Sequence, residues 1–406
     1  NPDKDAKDWP TYRHDPRRSG SVEWSPPTAP EKLWTTDIGG KLSAPVAANG
    51  RLFAAGVDSH SVFCLDANTG ERLWGFTAGA RVDSPPTIYR GLVLFGCTDG
   101  SVYCLRASDG RLVWRFRAAP ARQWISVRGQ LESAWPCHGS VLVRDGKVYA
   151  TAGRSSYLAG GIRVYALKPK TGEVLHSRVL DSDRPDVSQS AGRPFDMQGA
   201  RSDLLVAAEE DIYMFQKRFN PDLTLDRMPR RTKLGDRTCE RHLMSTAGFL
   251  ARQWSNGAFN RVYWTHSDRW PGYYFSYEAP KSGQILVFDD QTTYSVKYYT
   301  KRHGHSPEFR PGTGYRLIAD RNENDPVVRP SRFGQEKGGG FSRAEFWKWA
   351  DDVPVRVEAM VLGGPRLYLS GPPDLGPGKK AQAAMKGRKG ARLRVVSASS
   401  GKKLSS

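Results

Sequence analysis

Cysteine is scarce and poorly placed for chemistry. Five occur in 406 residues, an odd and sparse count that argues against a disulfide-stapled fold. There is no CxxC, no CxxCH for covalent haem and no adjacent Cys-Cys pair. Long apolar runs are also missing. None approaches the roughly 18 residues of a membrane helix; "GLVLFG" and "DLLVAA" are strand-length pieces. No cleavable signal peptide is visible, and the polar start "NPDKDAKDWP" reads as a mature, trimmed end consistent with export. Nor is there a nucleophile elbow, phosphate loop or zinc-protease helix. "KGGGF" (337–341) lacks both the preceding strand and the Lys-Ser/Thr of a P-loop, and reads as a connector. Acidic residues are in deficit, 42 against 61 Lys and Arg, which leaves a net charge of +19.

That excess favours acidic partners: an acidic polysaccharide or an acidic protein surface. Two clusters carry much of it, "RMPRRTKLGDR" (227–237) and "GKKAQAAMKGRKGARLR" (378–394). Either is equally readable as solvated loop surface. Nucleic-acid readers add an identifiable motif or a stacking platform. None is found, so no specific nucleic-acid partner is expected.

The chain is rich in turn formers, with 41 Gly and 27 Pro, and it repeats. "SAPVAANGRLFAAGVDSHSVFCLDANTGERLW" (43–74) is echoed by "SPPTIYRGLVLFGCTDGSVYCLRASDGRLVW" (84–114). A third copy is "GSVLVRDGKVYATAGRSSYLAGGIRVYALKPKTGEVLH" (139–176), and a degenerate one closes the chain over 358–406. Each has four short runs with the alternation of half-buried strands. Gly ends the turns "ANG", "YRG" and "RDG", and again "NTG", "SDG", "KTG" and "SSG", supplying a backbone conformation that other residues resist. Four strands in about 40 residues is the arithmetic of a propeller blade. Cys64 and Cys104 hold one third-strand slot, which Ala166 fills in the third copy. Both are expected to be reduced, buried and idle.

The stretches "LDANTGERLW" and "LRASDGRLVW" resemble the tryptophan-docking repeat of the PQQ-type (quinoprotein-like) β-propellers, in their non-dehydrogenase branch. The resemblance implies that Trp74 and Trp114 dock between neighbouring blades. The third copy places His176 in that slot and the last ends at "KKLSS". "DWPTYRHDPRRSG" also resembles the leader that precedes such propellers. The expectation is an all-β β-propeller of four-stranded antiparallel blades. Seven blades are expected, six visible plus a closing N-terminal strand over 31–38; a six-bladed ring is the alternative. Further blades are placed at 203–216, across 243–301 and from 355. Residues 1–30 form the leader and 31–406 the propeller, open to continuation beyond 406 or completion by another chain, with a basic loop insertion at 371–391.

If strands alternate in direction, the segment leading into strand one shares a face with the loop from strand two to strand three. Nearly every long connection falls there, and rigid scaffolds carry function on such loops. Candidate ligand-binding residues at this channel mouth are Arg81, Asp83, Trp135, His138, Arg154, Tyr157, Arg201, His242, His266, Arg269, Trp270 and Tyr273. His138 is a rim acid/base or hydrogen-bond donor, or else a packing histidine. "WTHSDRWPGYYFSYEAPKSG" (264–283) sets aromatic faces beside His and Arg, suited to sugars or anions, or packs over blades with Trp270 as anchor. His303 and His305 are weak metal candidates, lacking a third ligand; no metal site is expected.

The expected function is an exported, periplasmic or secreted binding or scaffold module for an acidic or carbohydrate ligand or a protein partner. Catalysis is left open, with the weight against it. One alternative is a polysaccharide lyase using His138, His242, His266, Arg269 and a Tyr. The other is a quinoprotein dehydrogenase. That branch holds PQQ with a calcium or lanthanide ion over a vicinal disulfide, with an Asp base. The missing Cys-Cys pair speaks against it, so no cofactor is expected.

Overall fold

The computed structural model describes residues 7–127, 129–181, 204–215, 217–224, 240–245, 264–268, 279–297, 314–329, 340–375 and 379–405. The chain divides into two units. The first is Asn1–Arg18, Lys32–Arg231 and Gly248–Leu250; the second is Ser19–Glu31, Thr232–Ala247 and Ala251–Ser406.

The first unit contains three complete four-stranded antiparallel meanders. They run through Val46–Ala48, Arg51–Gly56, Ser61–Asp66 and Arg72–Thr77; Thr87–Tyr89, Leu92–Cys97, Ser101–Arg106 and Leu112–Arg117; and Leu142–Arg144, Lys147–Ala152, Ile162–Leu167 and Val174–Leu180. A three-stranded sheet follows: Leu205–Ala208, Asp211–Met214 and Lys217–Phe219. A hairpin, Trp124–Val127 with Gln130–Ser133, is inserted between the second and third meanders. The third strands Ser61–Asp66 and Ser101–Arg106 are buried on both faces, whereas the fourth strands alternate. The core therefore lies in layers between successive sheets.

The cysteine slot is one register position. Cys64 stands between Phe53 and Trp74, Cys104 between Leu94 and Trp114, and Ala166 between Tyr149 and His176. A register shift follows it in all three sheets. Cys64, Cys97, Cys104 and Cys137 are free and buried.

The tryptophans explain the glycines of the final turns. Trp74 Nε1 donates to Ala107 O of the next sheet at 3.0 Å, and its ring lies where a Cβ on Gly110 would sit, 2.6 Å away. Trp114 repeats this on Pro169 O and Gly172. Residues 31–38, expected as an outer strand, form no strand. Trp34 from that stretch nevertheless docks in the same way, on Ala67 O at 3.0 Å and over Gly70. The interaction needs the indole, not a strand to carry it.

The leader crosses the first strands in turn. Trp9 pairs with Ala47, Pro10 O accepts from Ile88 N and Pro16 O from Ala207 N. Arg18 is fully buried; its guanidinium donates to Thr11 Oγ1 at 2.6 Å and to Val141 O and Leu205 O. Burial lowers its pKa to about 10, against the opposing pull of Asp15.

In the second unit, Ile285–Phe288, Thr292–Lys297, Tyr315–Arg321 and Trp349–Val353 form a four-stranded antiparallel sheet. The repeat reading assigned 284–301 to the end of a fifth blade. These residues instead begin a sheet whose fourth strand comes after a long insertion that includes the hairpin Pro326–Arg329 with Gly340–Arg343. Trp349 on that fourth strand docks on Ala398 O and Gly401. Ala359–Gly363, Arg366–Gly371, Arg392–Ser397 and Lys403–Ser405 form the last meander, with Ser21–Val22 added parallel on its inner side. His242–Ser245, Trp264–Ser267 and Ser282–Gly283 form a three-stranded sheet. The basic insertion contains the short helix Lys379–Met385. No helix among the described residues is long and apolar enough to cross a membrane.

Candidate functional site

In the first unit, alternating strand direction brings the segments that lead into each first strand beside the second-to-third loops. Arg81 and Asp83 lie just before Thr87–Tyr89, Trp135 and His138 just before Leu142–Arg144, and Arg154 and Tyr157 follow Lys147–Ala152. Four of these six join one network of hydrogen bonds and ion pairs. Asp83 Oδ2 is 2.8 Å from His138 Nδ1, and Asp83 Oδ1 is 2.8 Å from Arg81 Nε. Arg81 Nη2 is 3.0 Å from Glu132 Oε1. Arg154 Nη2 donates to Glu132 Oε2 at 2.5 Å, and its Nη1 to Ser133 O and Ala134 O. Trp135 is held apart by its own bond, Nε1 to Ala159 O at 2.6 Å, which ties its segment to the neighbouring loop. Tyr157 is half-buried; its backbone N–H donates to Ser155 Oγ.

The network is dry. His138 is 1% exposed and Glu132 0%, with Arg81 and Asp83 also buried. A charge removed from water is tolerable only when paired and hydrogen-bonded. Positive and negative groups alternate here: Asp83, Arg81, Glu132, Arg154. Burial alone would raise the Asp83 carboxyl. The His138 hydrogen bond and the charges on His138 and Arg81 outweigh it and hold that carboxyl below its ordinary range. Burial likewise lowers the Arg154 guanidinium, against the pull of Glu132.

Asp99, on the loop after Leu92–Cys97, is similarly engaged. It accepts from Tyr103 OH at 2.6 Å, Arg115 Nη2 at 2.8 Å and Ser101 N at 2.9 Å. Burial, then the Asp99 hydrogen bond, pushes the Tyr103 phenol well up.

Glu132 escaped the sequence reading. It lies on the inserted hairpin, outside the repeat, and is the sole acid between Ala118 and Ala134. That isolation in a link carrying Arg122 and Arg128 was the available signal.

In the second unit, His242 and His266 are strand residues, in register with Ser267 and Leu243. His242 Nδ1 is 2.8 Å from Glu240 O. His266 stacks on Phe288 at 3.8 Å between centroids and places Nδ1 2.8 Å from Thr293 Oγ1. Both rings are buried in the sheet rather than held on a loop. Lys281, also missed, is fully buried; Nζ donates to Asn322 O at 2.7 Å and lies 3.4 Å from Asp325 Oδ1. Burial, aided by the Arg241 charge, lowers its pKa. Its place beside a glycine-containing turn, "APKSG", gives no hint of burial. Arg201, Arg269, Trp270, Tyr273, His303 and His305 lie outside the described residues. Among the described residues, no three His, Cys, Asp or Glu side chains gather as a metal set.

Residues 18–218 match the family described as outer membrane protein assembly factor BamB. No curated protein matches the sequence. Among solved structures the chain is similar to a europium-containing methanol dehydrogenase, at 12% identity over 99% of this chain and 85% of that one, with a TM-score of 0.55. It is also similar to the quinohemoprotein alcohol dehydrogenase ADHIIG of Pseudomonas putida HK5, at 12% identity over 98% and 72%, with a TM-score of 0.53. The quinohemoprotein alcohol dehydrogenase of Comamonas testosteroni matches at 14% identity over 98% and 72%, with a TM-score of 0.52. At such identities the likeness is one of fold.

Proposed function

We propose that this chain, a member of the PQQ-type β-propeller repeat family, is a non-catalytic binding or scaffold module of the cell envelope that engages an acidic partner. The matching family's description, an outer membrane assembly factor, supports an exported, periplasmic setting.

One observation carries the reading. The basic insertion emerges between the second and third strands of the last meander, so it is a long connection of the kind expected to bear function. Lys379, Lys380, Lys386, Arg388 and Lys389 are exposed along it, and no Asp or Glu occurs between 379 and 394. Exposed cations of one sign attract anions over a Debye length and make binding salt-dependent.

The network around Asp83 supports the non-catalytic part. A lyase needs a base and an Arg turned toward a uronate. Here His138 is turned to Asp83, and Arg81 to Asp83 and Glu132. A quinone with its metal ion does not fit this donor set either. The sequence has no adjacent cysteines, and the Asp83, Asp99 and Glu132 carboxylates are each taken by arginine. We read the chain as working without a cofactor.

The test is binding of the purified chain to immobilised polygalacturonate and to an acidic protein at rising salt, with unsaturated-uronate formation and dye-linked alcohol oxidation, with added quinone and calcium, followed in parallel. Saturable, salt-sensitive binding without turnover is expected. Turnover in either assay, or no retention at low salt, would overturn the reading.

A further inference from the structure

The hairpin of Trp124–Val127 with Gln130–Ser133, in the first unit, is inverted in polarity. Its register sets Trp124 opposite Ser133, Ile125 opposite Glu132, Ser126 opposite Leu131 and Val127 opposite Gln130. Successive strand residues alternate faces. Trp124, Ser126, Leu131 and Ser133 therefore share one face, and Ile125, Val127, Gln130 and Glu132 the other. The second face is turned to the body of the unit. Ile125 packs into its core, Gln130 Oε1 lies 3.3 Å from His60 Nε2, and Glu132 is buried against Arg81 and Arg154. The first face, beyond Ser133 at its base, is turned to water, yet Trp124 is 49% exposed there and Leu131 64%. Antiparallel strands with one wet face ordinarily place apolar residues inward and polar ones outward. Here a carboxylate is inside and a leucine outside. The repeat does not impose this, because no such hairpin stands between the first and second meanders.

Trp124 and Leu131 stand on a cross-strand diagonal, a spacing of about 7–8 Å that lets an indole and a leucine form one patch. The surrounding charge has one sign. Residues 111–131 contain five arginines and no Asp or Glu, and Arg117 and Arg122 are exposed. An outward indole and leucine beside guanidinium groups match the membrane interface. The ring sits at headgroup level, the leucine reaches the acyl boundary, and the cations meet anionic lipid. A second copy of this chain would bring its own net charge of +19 against like charge. A protein partner suits the tryptophan, but leucine is under-represented among protein anchor residues, whereas it partitions favourably into a bilayer.

We propose that the outer face of this hairpin, Trp124 and Leu131 flanked by Arg117 and Arg122, docks the first unit on an anionic lipid bilayer. The two apolar side chains enter the headgroup region without spanning the membrane. This goes beyond the acidic partner of the basic insertion and uses residues of the other unit.

The probe is a set of phosphatidylcholine vesicles with and without phosphatidylglycerol, sedimented with the purified chain. The wild type is expected to partition onto the anionic vesicles. The double variant Trp124→Ser, Leu131→Ser lowers that partition about tenfold and leaves retention on polygalacturonate unchanged, with a wild-type urea midpoint showing that the fold is kept. Ser126→Leu, which enlarges the same apolar face, raises the partition. A second readout is independent of affinity. Lipids brominated on the acyl chain quench the tryptophan emission of the wild type more than that of Trp124→Phe, because the ring at 124 lies in the bilayer. Equal partition of the wild type and the double serine variant would overturn the proposal, since the basic insertion would then suffice. So would equal quenching of the wild type and Trp124→Phe, or equal partition onto vesicles with and without phosphatidylglycerol. Retention on an immobilised acidic protein that the double serine variant loses, with vesicle binding unchanged, would assign the face to a protein and overturn it too. Vesicle binding through Trp124 with no retention on polygalacturonate would leave this inference standing and remove the reading built on the basic insertion.

Discussion

The docking tryptophans make a quantitative prediction that separates backbone strain from packing. Gly110 has φ +73°, and the three atoms nearest its imagined Cβ all belong to the Trp74 ring, the closest at 2.6 Å. Gly91 has φ +74° with nothing within 4 Å. Gly91→Ala therefore meets only the left-handed backbone penalty, roughly 1–2 kcal/mol. Gly110→Ala meets the same penalty plus a ring that must move, about 1–3 kcal/mol more. Trp74→Ala alone removes a buried indole and its bond to Ala107 O, at a cost of about 3–5 kcal/mol. In the Trp74→Ala background the obstructing ring is gone, so Gly110→Ala should fall to the cost of Gly91→Ala. The coupling of about 1–3 kcal/mol is read from urea-unfolding midpoints followed by circular dichroism. The docking account fails if Gly110→Ala and Gly91→Ala cost the same with Trp74 present, or if Gly110→Ala costs as much without it.

Other outcomes follow from the buried charges and thiols. Asp83 has a folded-state pKa below its unfolded value of about 3.9, so its contribution is full above that value and lost as pH falls through the folded pKa. The stability gap between the wild type and Asp83→Asn should thus be widest near neutrality and close toward acid, and a gap independent of pH would refute the assignment. Glu132→Gln strips the shared carboxylate from Arg81 and Arg154 and should cost about 3–5 kcal/mol in the same unfolding assay, whereas Glu173→Gln, on the exposed pair with Lys168, should move the midpoint little. Burial pushes the Cys64 thiol up to about 11 and Cys104 up to about 12, so peptide mapping after iodoacetamide treatment near pH 8 should find both unlabelled until the chain is unfolded.

The repeat was legible because its constraints are local. A turn glycine, a small third-strand residue and a fourth-strand tryptophan recur at fixed offsets, and the register of Cys64, Cys104 and Ala166 in the structure is the one their alignment implies. Trp349 was not legible, because the insertion carrying Pro326–Arg329 and Gly340–Arg343 separates it from its third strand and breaks the spacing. Trp34 lies in a stretch whose sequence implies a strand that the structure does not form. An indole can reach Gly70 and Ala67 O from irregular backbone, and periodicity cannot report that. The convergence of Arg81, Asp83, His138 and Arg154 followed from strand direction alone. The group joining them, Glu132, did not, since a residue on a non-repeating hairpin has no offset from which to be placed.

That missing carboxylate alters what the cluster means. A ligand site and a buried ion-pair network draw on the same residue types in the same loops, so composition does not separate them. Partner geometry does. Without Glu132, the buried Arg81 and the partly exposed Arg154 would lose the carboxylate they share, and an anionic ligand would be the natural counter-charge. With Glu132 bridging them at 3.0 and 2.5 Å, the chain supplies that counter-charge itself. A ligand would have to displace it, at the cost of leaving a buried carboxylate unpaired. The positive excess of this protein must then act where no internal acid answers it. Under the proposed binding role, the exposed cations of the basic insertion meet that condition.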